Sequence, residues 1–209
     1  MERPRIILAD DHRVFAEGLK SMLNDDFDVV SIVEDGRALL DAVKALSPDL
    51  VITDISMPEM NGIECVRQLR ESSPELKVVL LTMHDDLGFA TAAIRAGASG
   101  YVLKNSGVKD LLKAVQEALQ GGIHISPQIA KEVMHTLATG EEVGPQLTPR
   151  QLEIMRLLVE GLSAKQIAAR LHISPRTVEF HKYQAMERIG VSTSAELIAY
   201  TLKQDSGPV

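Results

Sequence analysis

Five short apolar runs punctuate the first half of the chain: RIILA (5–9), DVVSIV (28–33), DLVITD (49–54), KVVLLT (77–82) and GYVLK (100–104). They are rich in β-branched residues and continuous rather than alternating, the pattern of strands covered on both faces. Between them, apolar residues recur at helical spacing. Val14, Phe15, Leu19, Met22 and Leu23 fall on one face, as do Val108, Leu111, Leu112, Val115 and Leu119. Strand and helix alternating five times over about 120 residues predict an α/β domain built on a doubly wound, five-stranded parallel sheet.

The rhythm changes after residue 121. GGIHISPQIAKEVMHTLATGEEVGPQ mixes Gly, Pro and acids around one amphipathic piece, in which Ile129, Val133, Met134 and Leu137 predict a short helix over about 127–138. TGEEVGPQ reads as a flexible tether. Four helix starts follow: Thr148 with Pro149 and Gln151, Ser163 with Gln166, Ser174 with Pro175, and Thr193 with Glu196. Gly161 and Gly190 stand where the first and third of these helices should stop. The predicted helices, about 149–160, 164–171, 175–189 and 194–203, make a small all-α four-helix domain. The three residues His172–Ser174 between the second and third are the short turn of a helix-turn-helix. The expected organisation is 1–121 as the α/β domain, 122–146 as linker, 147–204 as the helical domain and 205–209 as tail.

Charge separates the halves. The 209 residues carry a formal net charge of −7, yet residues 147–204 hold eight cations against five anions, a formal +3, which leaves −9 on residues 1–146. An acidic part joined to a basic part points to two tasks, one of them on a polyanion. A single cysteine, Cys65, excludes an internal disulfide framework and a Cys-rich zinc site, and its apolar surroundings make it a small core residue. MERPR is followed by only four apolar residues before Asp10, too few for a signal-peptide core, and no apolar run is long enough to span a membrane. The expectation is a soluble, cytoplasmic protein.

The strand ends carry the chemistry. In parallel sheets, ligands bind beyond the carboxyl ends of the strands. Here those ends hold Asp10 and Asp11, Asp54, Thr82 and Lys104. Helix capping could use one of the first two acids but does not explain Asp54, which precedes a loop containing Pro58. Three carboxylates at close quarters call for a cation, and a hard divalent ion such as Mg²⁺ suits oxygen ligands. The candidate ligands are Asp11, Asp54, Asp10 and the backbone carbonyl of Ser56. Lys104 and Thr82 remain as donors for an incoming phosphoryl group, with Asp54 as acceptor.

Asp10–Asp11, DISMPEMNG, LLTMHDD and GASGYVLK, in this order and spacing over residues 4–121, resemble a response-regulator receiver domain. The resemblance implies a flavodoxin-like fold and phosphoryl transfer from a sensor histidine kinase to Asp54. It also implies that Thr82 moves toward the phosphate and that Tyr101 is a switch aromatic. Ser56 and His84, each two residues beyond Asp54 and Thr82, are candidates for setting the lifetime of the phosphate. His12 reads as a surface histidine rather than a ligand.

In the third C-terminal helix, Val178, Ala185 and Ile189 form the inward stripe, and Arg176, Thr177, Glu179, Phe180, Lys182 and Tyr183 lie outside it. Such a face suits a DNA groove. Residues 147–200 resemble the LuxR-type helix-turn-helix, and the whole chain resembles a bacterial two-component response regulator of the NarL/FixJ family. That implies Glu179, Phe180 and Tyr183 toward bases, Thr177 and Lys182 near the backbone, and a homodimer through the last helix at Leu197, Tyr200 and Thr201. Many relatives have Lys near position 179; an acid there can accept from cytosine N4. The expected protein is a transcriptional regulator rather than an enzyme. The resemblance further implies that phosphorylation frees the DNA-binding domain and favours dimers on paired promoter half-sites. Two alternatives stay open: an atypical receiver that switches without phosphate, and an Asp-nucleophile phosphatase.

Overall fold

The computed structural model of the chain describes residues 3–140, 147, 149–191 and 193–205, and of residues 149, 176, 180, 184, 187, 188 and 203–205 the backbone alone. The chain divides into two compact units, residues 1–142 and 143–209.

The first unit alternates strand and helix: β1 (Arg5–Ala9), α1 (Arg13–Leu23), β2 (Asp28–Val33), α2 (Gly36–Leu46), β3 (Leu50–Thr53), α3 (Gly62–Ser72), β4 (Lys77–Thr82), α4 (Leu87–Ala96), β5 (Gly100–Leu103), α5 (Val108–Leu119), β6 (His124–Ile125) and α6 (Pro127–Thr139). The strands pair in parallel in the order β2-β1-β3-β4-β5-β6. Odd and even positions of the central strands feed separate cores. Ile7, Ala9 and Val51 pack under α2, α3 and α4, whereas Ile6, Leu8, Leu50 and Ile52 pack under α1 and α5. Both faces are dry, which is why the strands read as unbroken apolar runs. Cys65 is buried in the first core, and burial pushes its thiol up to about 12, so it packs as a small hydrophobe.

Two expectations are corrected here. The sheet has six strands rather than five: His124–Ile125 pairs with Gly100–Tyr101. The segment read as linker is in part docked, because Ile129 and Val133 of α6 are buried in the core under α4. Two residues of strand are too short to show a period, and this explains why β6 was missed. The tether proposed over 139–146 lies outside the described residues from 141 onward. The apolar face of α1 is also split. Leu19 and Leu23 are buried with Ala16, but Val14 is 90% exposed and Met22 54%. Together with Phe15 they border an apolar groove of about 300 Å³ against α5.

The second unit holds α7 (Pro149–Val159), α8 (Ala164–Leu171), α9 (Pro175–Ile189) and α10 (Ser194–Asp205). Their core is Ile154, Met155, Leu157, Ile167, Ala168, Val178, Ala185, Met186 and Leu197, with Leu147 at its edge. The start signals act as read. Gln166 accepts from the Ser163 amide, Ser174 Oγ accepts from the Thr177 amide, and Thr193 and Glu196 cap each other's amides. Thr148 lies outside the described residues. Gly190 ends α9 at φ 70°, a conformation that favours glycine.

Candidate phosphoacceptor site and DNA-facing helix

β1 and β3 lie side by side in the middle of the sheet, so the residues just past their ends, Asp10 and Asp54, are neighbours. The Asp54 amide donates to the Ala9 carbonyl at 2.8 Å, which fixes that register one residue beyond the strand. Both residues are buried, at about 5% exposure. Neither Asp10 nor Asp11 caps α1. The N-cap is His12, which makes no capping bond, and Asp10 Oδ1 accepts from the His12 amide at 2.9 Å. Capping is thereby removed as an explanation of the acid pair.

Lys104 closes the site from β5. Its Nζ lies 2.5 Å from Asp54 Oδ2 and 2.7 Å from Asp10 Oδ2. Burial works against the ammonium, but hydrogen bonds and attraction to the two carboxylates outweigh it and hold its pKa above the ordinary lysine value. The ring of Phe15 lies 4.6 Å from the same ammonium. Asp54 Oδ1 accepts from the amides of Ile55 at 2.6 Å and Ser56 at 3.3 Å. The loop beyond wraps back closely: a Cβ on Gly62 would sit 2.1 Å from the Asp54 carbonyl oxygen, so only glycine fits there.

Carboxylate oxygens of Asp10, Asp11 and Asp54 and a ring nitrogen of His12 all lie within 4.8 Å of one another. Three carboxylates beside one ammonium leave a formal −2. That deficit, with hard oxygen donors, fits a divalent cation of the magnesium or calcium type. His12 is drawn into this group: its Nδ1 is 2.8 Å from Asp11 Oδ1. Sequence reasoning set it aside as a surface residue, and at 71% side-chain exposure it is one.

Thr82 is fully buried at the end of β4, and its Oγ1 accepts from the His84 amide at 3.2 Å. Tyr101 is also fully buried and donates from its hydroxyl to the His84 carbonyl at 2.8 Å. Ser56 and His84, read separately from the sequence, meet: Ser56 Oγ and His84 Nε2 are 2.9 Å apart, and the His84 ring packs on Phe89.

A second polar cluster was missed. His124 is buried between two carboxylates, with Nε2 2.9 Å from Asp110 Oδ1 and Nδ1 2.8 Å from Glu117 Oε2. Burial pushes Asp110 up, but hydrogen bonds from Ser126, Ser106 and His124 outweigh it and hold the carboxyl below its ordinary value. The hydrogen bond from His124 likewise lowers Glu117. The signal was present: Asp110 and Glu117 are seven apart, two turns along one face of α5.

On α9 the inward residues are Val178, Ala185 and Met186, with Ile189 packed beside them. Tyr183 is 62% exposed. Thr177, Glu179 and Lys182 are half-buried, and Arg176 and Phe180 have side chains outside the described residues. Lys182 Nζ is 2.5 Å from Glu179 Oε2 and lies over the Tyr183 ring. The expected dimer residues on α10 need correction. Leu197 is fully buried and Thr201 nearly so, its hydroxyl donating to the Leu197 carbonyl; Tyr200 is half-buried. Two of the three are core residues of their own unit, because the apolar stripe of α10 faces α7 and α9. Ala195, Ala199 and Leu202 form the exposed stripe instead.

The response regulator receiver domain matches residues 6–116, and the luxR family of bacterial regulatory proteins matches residues 145–201. The transcriptional regulatory protein DegU of Brevibacillus brevis is 32% identical over 95% of this chain and 93% of its own. Salmonella enterica serovar Typhimurium RcsB, bound to promoter rprA with the phosphomimetic BeF3−, is 29% identical over 95% of this chain and 98% of its own, with a TM-score of 0.58. A structure of two RcsB dimers on two parallel DNAs is 27% identical over 99% of this chain and all of its own, with a TM-score of 0.61.

Proposed function

The chain belongs to the transcriptional response regulators that join a receiver domain to a LuxR-type helix-turn-helix, and from that premise we propose that Asp54 is its phosphoacceptor and that phosphorylation there controls DNA binding. The observation that carries this reading is the contact of Lys104 with both Asp54 and Asp10, at the end of a sheet whose next strand ends in a buried Thr82.

The acceptor's oxygens have separate partners. Asp54 Oδ1 is tied to two backbone amides, which leaves Oδ2, on the Lys104 side, to attack phosphorus. In the transfer an oxygen–phosphorus bond forms at Asp54 as the donor's phosphorus–nitrogen bond breaks, and the donor histidine regains its ring lone pair. Lys104 follows the charge onto the phosphoryl oxygens, and the Thr82 hydroxyl donates to one of them. Asp10, Asp11, Asp54 and the Ser56 carbonyl would hold Mg²⁺. When bound, it offsets the repulsion between a carboxylate nucleophile and an anionic phosphoryl group. Ser56 and His84, hydrogen-bonded at the rim, limit the approach of hydrolytic water and so set the lifetime of the phosphate. The Thr82 and Tyr101 side chains, each tied to the His84 backbone, are the parts that shift when the phosphate arrives.

The phosphoryl donor is a sensor histidine kinase, and the setting is cytoplasmic; no helix among the described residues is long and apolar enough to cross a membrane. The output is a homodimer on double-stranded DNA, as in the RcsB assemblies, with α9 in the major groove and Arg176, Thr177, Glu179, Phe180, Lys182 and Tyr183 as the candidate contacts. The test is direct. Acetyl phosphate with Mg²⁺ labels the wild type once, at Asp54, and tightens DNA binding. Equal labelling of Asp54→Asn overturns the assignment.

A further inference from the structure

Ser126 stands at the N-cap of α6, where a serine hydroxyl ordinarily accepts from the helix's first amides. Here it makes no capping bond. The side chain is fully buried, donates to Asp110 Oδ2 at 2.5 Å and accepts from the Leu103 amide at 3.0 Å. Leu103 is the last residue of β5, immediately before Lys104. Its carbonyl is held too, by the Ser106 hydroxyl at 2.7 Å. The Leu103 amide is therefore held by the Ser126 hydroxyl and its carbonyl by the Ser106 amide and hydroxyl, while the Lys104 amide donates to the Thr82 carbonyl of β4.

The serine is itself held. Asp110 shares its other oxygen with His124, and His124 reaches Glu117, which also lies 3.7 Å from Lys113. A buried histidine hydrogen-bonded to a carboxylate on each side holds both of them, and the residues they bond, in fixed positions. This cluster fastens β6 and the first turn of α6 to α5, and it aims one hydroxyl at the residue before the site's only described ammonium.

We propose that Ser126, oriented by Asp110 and His124, is a positioning residue for Lys104 and makes the start of α6 a mechanical part of the phosphoacceptor site. The inference rests on Asp54 being the acceptor. Its consequence is a route out of the site through β5 and β6 that runs beside Thr82 and Tyr101, whose carbonyls accept from the amides of Lys104 and Ser126. α6 is the last described element of the first unit, so a shift of Lys104 toward a phosphoryl group is felt through Leu103 and Ser126 at its first turn.

The test uses the full-length chain as wild type, Ser126→Ala and Ser126→Thr. In the resting protein, Ser126→Ala speeds hydrogen exchange at the Leu103 amide and moves the Lys104 side-chain ¹⁵N resonance, while Ser126→Thr restores both. With acetyl phosphate and Mg²⁺, the initial rate of labelling falls about three- to tenfold in Ser126→Ala, the share of positioning that one neutral hydrogen bond supplies, and recovers in Ser126→Thr. Should Ser126→Ala lose the fold, Ser126→Cys, whose thiol is a poor acceptor, carries the same comparison. An unmoved Lys104 resonance with an unchanged rate overturns the proposal. A wild type that takes no label at Asp54 overturns the acceptor assignment instead, and the resting-state resonances still decide whether Ser126 positions Lys104.

Discussion

Lys104 Nζ lies 2.5 Å from Asp54 Oδ2, so the carboxylate proposed to accept a phosphoryl group is ion-paired before any donor arrives. The ammonium and a divalent cation therefore compete for the same carboxylates. Lys104→Met should bind Mg²⁺ at least several-fold more tightly than the wild type by titration calorimetry, because three acids are left without their internal cation. The same variant should lose most labelling by acetyl phosphate. Weaker or equal Mg²⁺ affinity would contradict this picture of the site.

The same pair sets an alkaline limit. Lys104 has a folded pKa above its unfolded value, so the folded state holds the proton more tightly. Its contribution to stability is complete below the ordinary lysine value of about 10.4 and is lost as pH rises through the raised one. Urea midpoints of wild type and Lys104→Met should differ most at neutral pH and converge in strong alkali.

Asp110 and Glu117 give the opposite slope. Both are held below their ordinary values, so the unfolded chain takes up protons first as pH falls. Their stabilisation is complete above the ordinary carboxylate range, near pH 4, and is lost as pH falls through the lowered values. Asp110→Asn should flatten the acid limb of a stability-against-pH curve measured by urea unfolding. An acid limb unchanged from the wild type would show that the cluster is not linked to folding.

His84 should control how long the phosphate stays. Removing its ring in His84→Ala breaks the bond to Ser56 and opens the rim to water. The half-life of labelled protein should shorten by about threefold or more, an effect of one lost hydrogen bond and its steric cover. The decay of radiolabel in purified protein measures it, and an unchanged half-life removes Ser56 and His84 from that role.

On α9, Glu179 neutralises Lys182 at 2.5 Å. Glu179→Gln frees the ammonium for a backbone phosphate. DNA affinity should rise across all sequences, and the slope of log K against log salt should steepen by about one unit. A gain confined to one DNA sequence would instead assign Glu179 to base contact.

On α10, burial separates stability from assembly. Leu197→Ala should cost about 2–5 kcal/mol in unfolding of the second unit, the usual range for a buried leucine. Leu202→Glu, on the exposed stripe, should leave stability nearly unchanged and weaken dimers measured by analytical ultracentrifugation.

Much of this was legible in the chain. Apolar runs with polar residues at their ends gave the first five strands and the members of the phosphoacceptor site, because a parallel sheet must bury both faces and expose its carboxyl ends. Helix starts in the second unit were legible for the same local reason: Gln166 satisfies the Ser163 amide, and Ser174 and Thr193 satisfy amides three residues on. The errors lie where one helical face serves two environments. Val14 and Met22 share α1 with Leu19 and Leu23, but α5 leaves a groove open beside them. The family resemblance implies an interface at Leu197 and Thr201, and they turn inward because α7 and α9 stand on that side.

The sequence by itself determined which groups reach the site, since strand ends and caps are set by neighbours a few residues away. Only the tertiary structure decided how those groups are paired: Lys104 on Asp10 and Asp54, Ser56 on His84, and Ser126 diverted from its own helix to Leu103. These partners lie between 23 and 94 residues apart in the chain. No local pattern encodes such a meeting; it follows from strand order and register, which the competition among whole packed arrangements fixes.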